Sequence, residues 1–124
     1  MAQRQPVVAF DGDGSAMQNI QELDTAARLG IKLLYVVLND EAYGMEYHKL
    51  RAVNLNGHLS VVPTPDFGAV GRVFGCRGRL ARTLDEMVAA IDEFLAGDGP
   101  MVLDLRISRN VVSVYQRRLE GHDV

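Results

Sequence analysis

VVAFDGDGSAMQNIQELDTAARLGIKLLYVVLND, residues 7–40, decides the fold. Its two apolar ends, VVAF at 7–10 and LLYVVL at 33–38, are short and unbroken, as expected of strands covered on both faces of a sheet. Between them Ile20, Leu23, Ala26 and Ala27 recur at the three- to four-residue spacing of a helix. Ser15 and Gln18 fit a capping box at the helix start, and Gly30 fits its stop. Strand, helix and strand in that order make the crossover unit of a parallel sheet.

Farther along, a second helix is expected from about Asp66, with Phe67, Val70, Val73 and Phe74 inward and Gly75 ending it. A third follows Thr83, which pairs with Glu86 in a capping box. Its stripe is Leu84, Met87, Val88, Ile91 and Leu95. MVLDLRI at 101–107 then reads as a strand with Met101, Leu103, Leu105 and Ile107 on one face and Asp104 and Arg106 on the other. That alternation predicts a place at or near a sheet edge. The fold class is therefore α/β, a parallel sheet with helices on both faces.

Composition narrows function. A chain of 124 residues has the length of one domain and can bury a real core. With 13 basic against 16 acidic side chains it carries no electrostatic footprint for nucleic acid or an anionic membrane. No stretch approaches the roughly 20 apolar residues of a membrane span, and MAQRQPVV has no signal core, so a cytoplasmic setting is expected. The single cysteine, Cys76, sits among apolar and glycine neighbours and reads as a buried small residue. His48, His58 and His122 make no pair with it at zinc-ligand spacing.

The chemistry concentrates in DGDGS at 11–15, between a strand end and a helix start, where ligands of parallel α/β sheets bind. Glycines admit a close anion, a helix start favours negative charge, and a carboxylate alongside can hold a Mg²⁺ that bridges phosphate oxygens. Asp11, Asp13, Ser15 and Glu22 also fall at calcium-ligand positions of an EF-hand. Ala16 stands where that loop needs glycine, however, and a strand precedes the turn instead of a helix.

Two family resemblances compete for the stretch. VVAFDGDGS resembles the first motif of haloacid-dehalogenase-type phosphatases, which would make Asp11 a nucleophile and Asp13 a general acid and base. The lysine and the later acidic pair that such an enzyme needs are hard to find. A wider resemblance, from about Val7 to Ile107, is to the thiamine-diphosphate-binding domain of the acetolactate synthase, pyruvate oxidase and benzoylformate decarboxylase family. It rests on GDGS with NIQELDTA, the following strand with its closing YGM, PDFGAVGRVFG, and DGPMVLDLRI.

That second resemblance implies a partial thiamine-diphosphate-binding fold over residues 1–110 with a tail at 111–124, and thiamine diphosphate and Mg²⁺ as cofactors. By residue, it implies Asp13, Asp40 and the Ala42 carbonyl as metal ligands. Gly12, Asp13, Gly14, Ser15, Asn39, Ala42, Tyr43 and Gly44 would lie along the cofactor. Asp40 departs from the family, which has asparagine there; aspartate is still a hard oxygen ligand. Asn39 is expected to orient the loop by hydrogen bonding, and Asp11 to be only a neighbour. The glutamate that activates the aminopyrimidine belongs to a separate domain in this family, as does a Gly-Met-Gly segment to the part before the turn. The chain is therefore expected to be catalytically incomplete, a fragment or one component of a split enzyme. A homo-oligomer or a partner chain carrying the pyrimidine-binding domain should complete it, with the tail NVVSVYQRRLEGHDV at 110–124 helping assembly. A non-catalytic oligomeric remnant is the remaining alternative.

Overall fold

The computed structural model describes residues 5–112, 114 and 117. Four parallel strands, β1 (Val7–Gly12), β2 (Leu33–Asn39), β3 (Arg77–Ala81) and β4 (Met101–Arg106), form one sheet in the order β1-β2-β4-β3. The helices are α1 (Asp13–Asn19), α2 (Glu22–Arg28), α3 (Gly44–Ala52), α4 (Phe67–Val73) and α5 (Leu84–Ala96), with a 3-10 turn at Gly57–Ser60.

Strand alternation sends apolar side chains both ways. Leu34, Val36, Met101 and Leu103 meet Ala90 and Phe94 of α5 on one face. Val37 and Val102 meet Ala16, Leu23 and Phe67 of α1, α2 and α4 on the other. Helices thus cover both faces, as the pattern of the sequence predicts. Each large side chain so buried contributes on the order of 2 kcal/mol. Caps place the helix ends: Asp66 accepts from the Ala69 amide at 2.9 Å, and Thr83 and Glu86 form the expected capping box. Gly30 and Gly75 follow α2 and α4 with positive φ. Cys76 is buried, and burial pushes its thiol pKa up.

Several expectations are corrected. The strand β4 is near an edge but not at it, lying between β2 and β3, and its polar Asp104 is matched by buried donors instead of solvent. The edge strand is instead β3, RGRLA, which the sequence reading passed over. Its Gly78 is a poor strand residue, yet a Cβ there would run into the Gly68 backbone of α4. β1 is an edge strand too, with Val7 and Val8 about half exposed and Phe10 more so, so VVAF is not covered on both faces. The first helix begins at Asp13, with Gly12 as N-cap and no side-chain cap, so Ser15 and Gln18 lie inside it; it is interrupted at residues 20–21. In α4, Val73 points outward while Phe67, Gly68 and Gly71 are buried. In α5 the inner stripe is Met87, Ala90, Ile91 and Phe94, whereas Leu84, Val88 and Leu95 face out.

Among the described residues no helix is long and apolar enough to cross a membrane. Of the tail, Val111 and Val114 are exposed, and Tyr115, Arg118 and His122 lie outside the described residues.

Candidate functional site

β1 and β2 are neighbours in register, Gly12 beside Leu38, so the turns after them lie side by side at the carboxyl end of the sheet. Asp13 opens α1 from the first turn and Asp40 opens the second. The Asp13 carboxylate is buried. Its Oδ1 accepts from the Gly14 amide at 3.0 Å, and its Oδ2 has no hydrogen-bond partner. Burial raises its pKa and the Asp40 charge adds to the rise, while the Gly14 and Glu41 amides oppose it. A buried carboxylate oxygen without a donor costs on the order of 1–3 kcal/mol.

The two turns interlock through glycine. A Cβ on Gly14 would come within 2.8 Å of the Tyr43 ring, and one on Gly44 within 2.5 Å of Asp40 Oδ2. Glycine at both places lets the ring and the carboxylate occupy that space. Asp40 Oδ1 accepts from the Ala42 amide at 3.0 Å, which fixes the carboxylate over its own turn.

The loop between β2 and α3 is held from below. Asn39 is buried, and its Oδ1 accepts from the Glu41 amide at 3.1 Å and the Thr64 hydroxyl at 2.9 Å. Glu41 has φ 57°, a left-handed conformation that costs a side-chain-bearing residue roughly 1–2 kcal/mol. Pairing with the 60–62 segment supports it: the Val62 amide donates to the Glu41 carbonyl, and the Tyr43 amide to the Ser60 carbonyl.

Of the residues singled out from sequence, Asp13, Gly14, Asp40, Ala42, Tyr43 and Gly44 converge here, with Asn39 directly beneath. Gly12 and Ser15 lie exposed at the start of α1. Asp11 is turned to the side, where its carboxylate accepts from the Tyr35 hydroxyl at 3.0 Å and the Gly12 amide at 3.0 Å. Lys32, the lysine nearest a strand start, donates to the Phe94 and Gly97 carbonyls at the end of α5 instead. Tyr47 is buried, and Tyr43 and Met45 are half exposed. The His48 ring packs edge-on against Tyr47 at 5.3 Å.

Sequence reasoning missed the layer under the loop. Asp104 is fully buried, with Oδ1 accepting from Asn39 Nδ2 at 3.1 Å and Oδ2 from the Phe67 amide at 3.0 Å and Arg106 at 3.1 Å. Arg106 also reaches Glu41 at 2.7 Å and the Pro65 carbonyl at 3.1 Å. The available signal was one aspartate within an otherwise apolar strand core.

Among the described residues no three histidine, cysteine, aspartate or glutamate side chains gather as a metal cluster. Two carboxylates with a neighbouring backbone carbonyl suit Mg²⁺, which takes few protein ligands and completes its shell with water and phosphate oxygens. The unpartnered, buried Asp13 oxygen beside the Asp40 charge fits such an ion.

The family model "Thiamine pyrophosphate enzyme, C-terminal TPP binding domain" matches residues 1–105. The acetolactate synthase isozyme 2 large subunit of Escherichia coli K12 is 34% identical over 103 residues, covering 82% of this chain and 19% of that protein. An acetolactate synthase of Arthrospira platensis is 30% identical over 125 residues, covering 94% and 21%. The crystal structure of benzoylformate decarboxylase from Polynucleobacter necessarius superposes with a TM-score of 0.77 at 29% identity, covering 90% and 21%. The chain thus spans about a fifth of the length of these relatives.

Proposed function

Because this chain belongs to the C-terminal TPP-binding domain family of thiamine pyrophosphate enzymes, we propose that it holds thiamine diphosphate by its diphosphate end, through Mg²⁺. Asp13, Asp40 and the Ala42 carbonyl are the protein ligands to the metal in this reading. Gly12, Gly14 and Ser15 present the start of α1 to the diphosphate, with Tyr43 and Gly44 closing the other side. The observation that carries it is the buried Asp13 oxygen that has no donor and lies within electrostatic reach of Asp40. A divalent cation there satisfies the oxygen and offsets the repulsion between the two carboxylates.

When bound, the cofactor supplies carbanion stabilisation next to a carbonyl, and the protein around it supplies binding, orientation and water exclusion. The relatives' names, acetolactate synthase and benzoylformate decarboxylase, support a 2-oxo acid as substrate, in a carboligation or decarboxylation. The residues named above would hold the metal and diphosphate end of the cofactor. The pyrimidine-binding half belongs to a partner chain or to a further part of a longer protein, so the 124-residue chain alone should not turn over pyruvate. The exposed Val7, Val8 and Phe10 on edge strand β1 support assembly with a second copy or that partner, which sedimentation across a dilution series checks. A phosphatase reading loses ground because Asp11 is engaged by Tyr35 and Lys32 is committed to the end of α5.

The test is calorimetric titration of the purified chain with thiamine diphosphate, with and without Mg²⁺. Heat of binding that requires the metal supports the reading, and none in either condition rejects it.

A further inference from the structure

Asp104 lies on strand β4, beneath the metal loop and outside the set of residues placed around the cofactor. We propose that it is the positioning residue of that loop, acting through two arms that meet at Glu41. One arm runs from Asp104 Oδ1 to Asn39 Nδ2 at 3.1 Å, and from Asn39 Oδ1 to the Glu41 amide at 3.1 Å. The other runs from Asp104 Oδ2 to Arg106 at 3.1 Å, and from Arg106 to the Glu41 carboxylate at 2.7 Å. One arm holds the backbone of Glu41 and the other its side chain. Glu41 is also the one residue between Asn39 and Gly44 with positive φ, at the bend that follows Asp40, whose charge reaches Asp13.

Chemistry fixes the residue type at position 104. Its three partners, Asn39 Nδ2, the Phe67 amide and the Arg106 guanidinium, are all donors. A carboxylate accepts from all of them. An asparagine has the same shape, but in either orientation it turns its NH₂ toward a donor and removes the charge that faces Arg106. The same carboxylate also receives the first amide of α4, so the loop, the start of α4 and the central strand share a single anchor. Because Arg106 is 13% exposed while Asp104 is fully buried, the Glu41 arm can be cut at the rim without opening the core.

The inference rests on the metal site proposed above, and two readouts separate them. The first needs no metal: hydrogen exchange of the Ala42 and Tyr43 amides, which bond Asp40 and Ser60. The second is Mn²⁺ binding in the presence of inorganic pyrophosphate, followed by the electron-spin-resonance signal of free Mn²⁺. Asp104→Asn and Arg106→Gln should each speed exchange at the two loop amides and weaken Mn²⁺ binding by about tenfold or more. Exchange in α5 should stay slow, and circular dichroism should stay native. A purely structural role for Asp104 would lower the melting temperature and leave loop exchange and affinity of the folded protein unchanged, which overturns the proposal. If Asp104→Asn does not fold, Arg106→Gln decides by the same criteria. Wild-type protein that ignores Mn²⁺, or an Asp13→Asn variant that binds it equally well, defeats the metal reading. Loop exchange then still shows whether Asp104 orders the loop, and a claim of metal positioning falls with the site.

Discussion

Among the described residues two aspartates are buried, a strand apart in the sheet, and they are treated in opposite ways. Asp104 receives three donors from three parts of the chain, whereas Asp13 accepts one close hydrogen bond, from the Gly14 amide, and its other oxygen accepts none beside another carboxylate. Burial is equal to within a few percent, 0% against 3% exposure, so desolvation does not separate them. Partnering does. A buried charge with both oxygens matched by donors anchors structure, and one held short of partners is poised for a ligand.

The largest expected effect breaks the satisfied member of the pair. Asp104→Ala leaves the Asn39 amide and the Phe67 N–H without that acceptor and takes one of its acceptors from Arg106, and should destabilise the fold by about 3–5 kcal/mol in urea denaturation. Asp13→Asn should do the reverse in the metal-free protein. Removing a charge that burial and Asp40 both disfavour should leave stability unchanged or raise it by up to about 1 kcal/mol, while Mg²⁺-dependent thiamine diphosphate binding is lost. Equal destabilisation by both changes would erase the contrast.

Smaller effects calibrate the scale away from the site. Thr83→Ala removes the cap of α5 and should cost about 1 kcal/mol without touching cofactor binding. In the same box the Arg82 and Thr83 amides hold the Glu86 pKa below its ordinary value. A depressed carboxylate contributes stability that is present above the unfolded-state pKa and lost as pH falls through the folded-state value. Replacing Glu86 with Gln should therefore flatten the acid-side decline of the melting temperature slightly and leave the neutral-to-basic profile alone.

What was legible in the sequence was local. The 7–40 crossover, the Thr83–Glu86 box, the Asp66 start and the Gly30 and Gly75 stops depend on neighbours within a few positions, and those are where pattern and structure agree. The GDGS turn and its companion at Asp40 were found as motifs, and the fold brings them together. What depends on distant partners was misread. Asp104 reads as a solvated strand residue until Asn39 and the start of α4 are placed against it. RGRLA gets no assignment from pattern, and its Gly78 makes sense only once the α4 backbone lies against it. Leu84, Val88 and Leu95 share a helical stripe with the buried residues of α5, and only the outline of the sheet shows which half of that stripe it covers.

The most direct measurement is a side-by-side calorimetric titration of thiamine diphosphate with Mg²⁺ into the wild-type chain, Asp11→Asn and Asp13→Asn. The two aspartates sit two residues apart in one turn, so composition and net charge change identically and only placement differs. Metal-dependent binding that survives nearly intact in Asp11→Asn and disappears in Asp13→Asn is the predicted result. Loss of binding in Asp11→Asn with retention in Asp13→Asn would contradict the account.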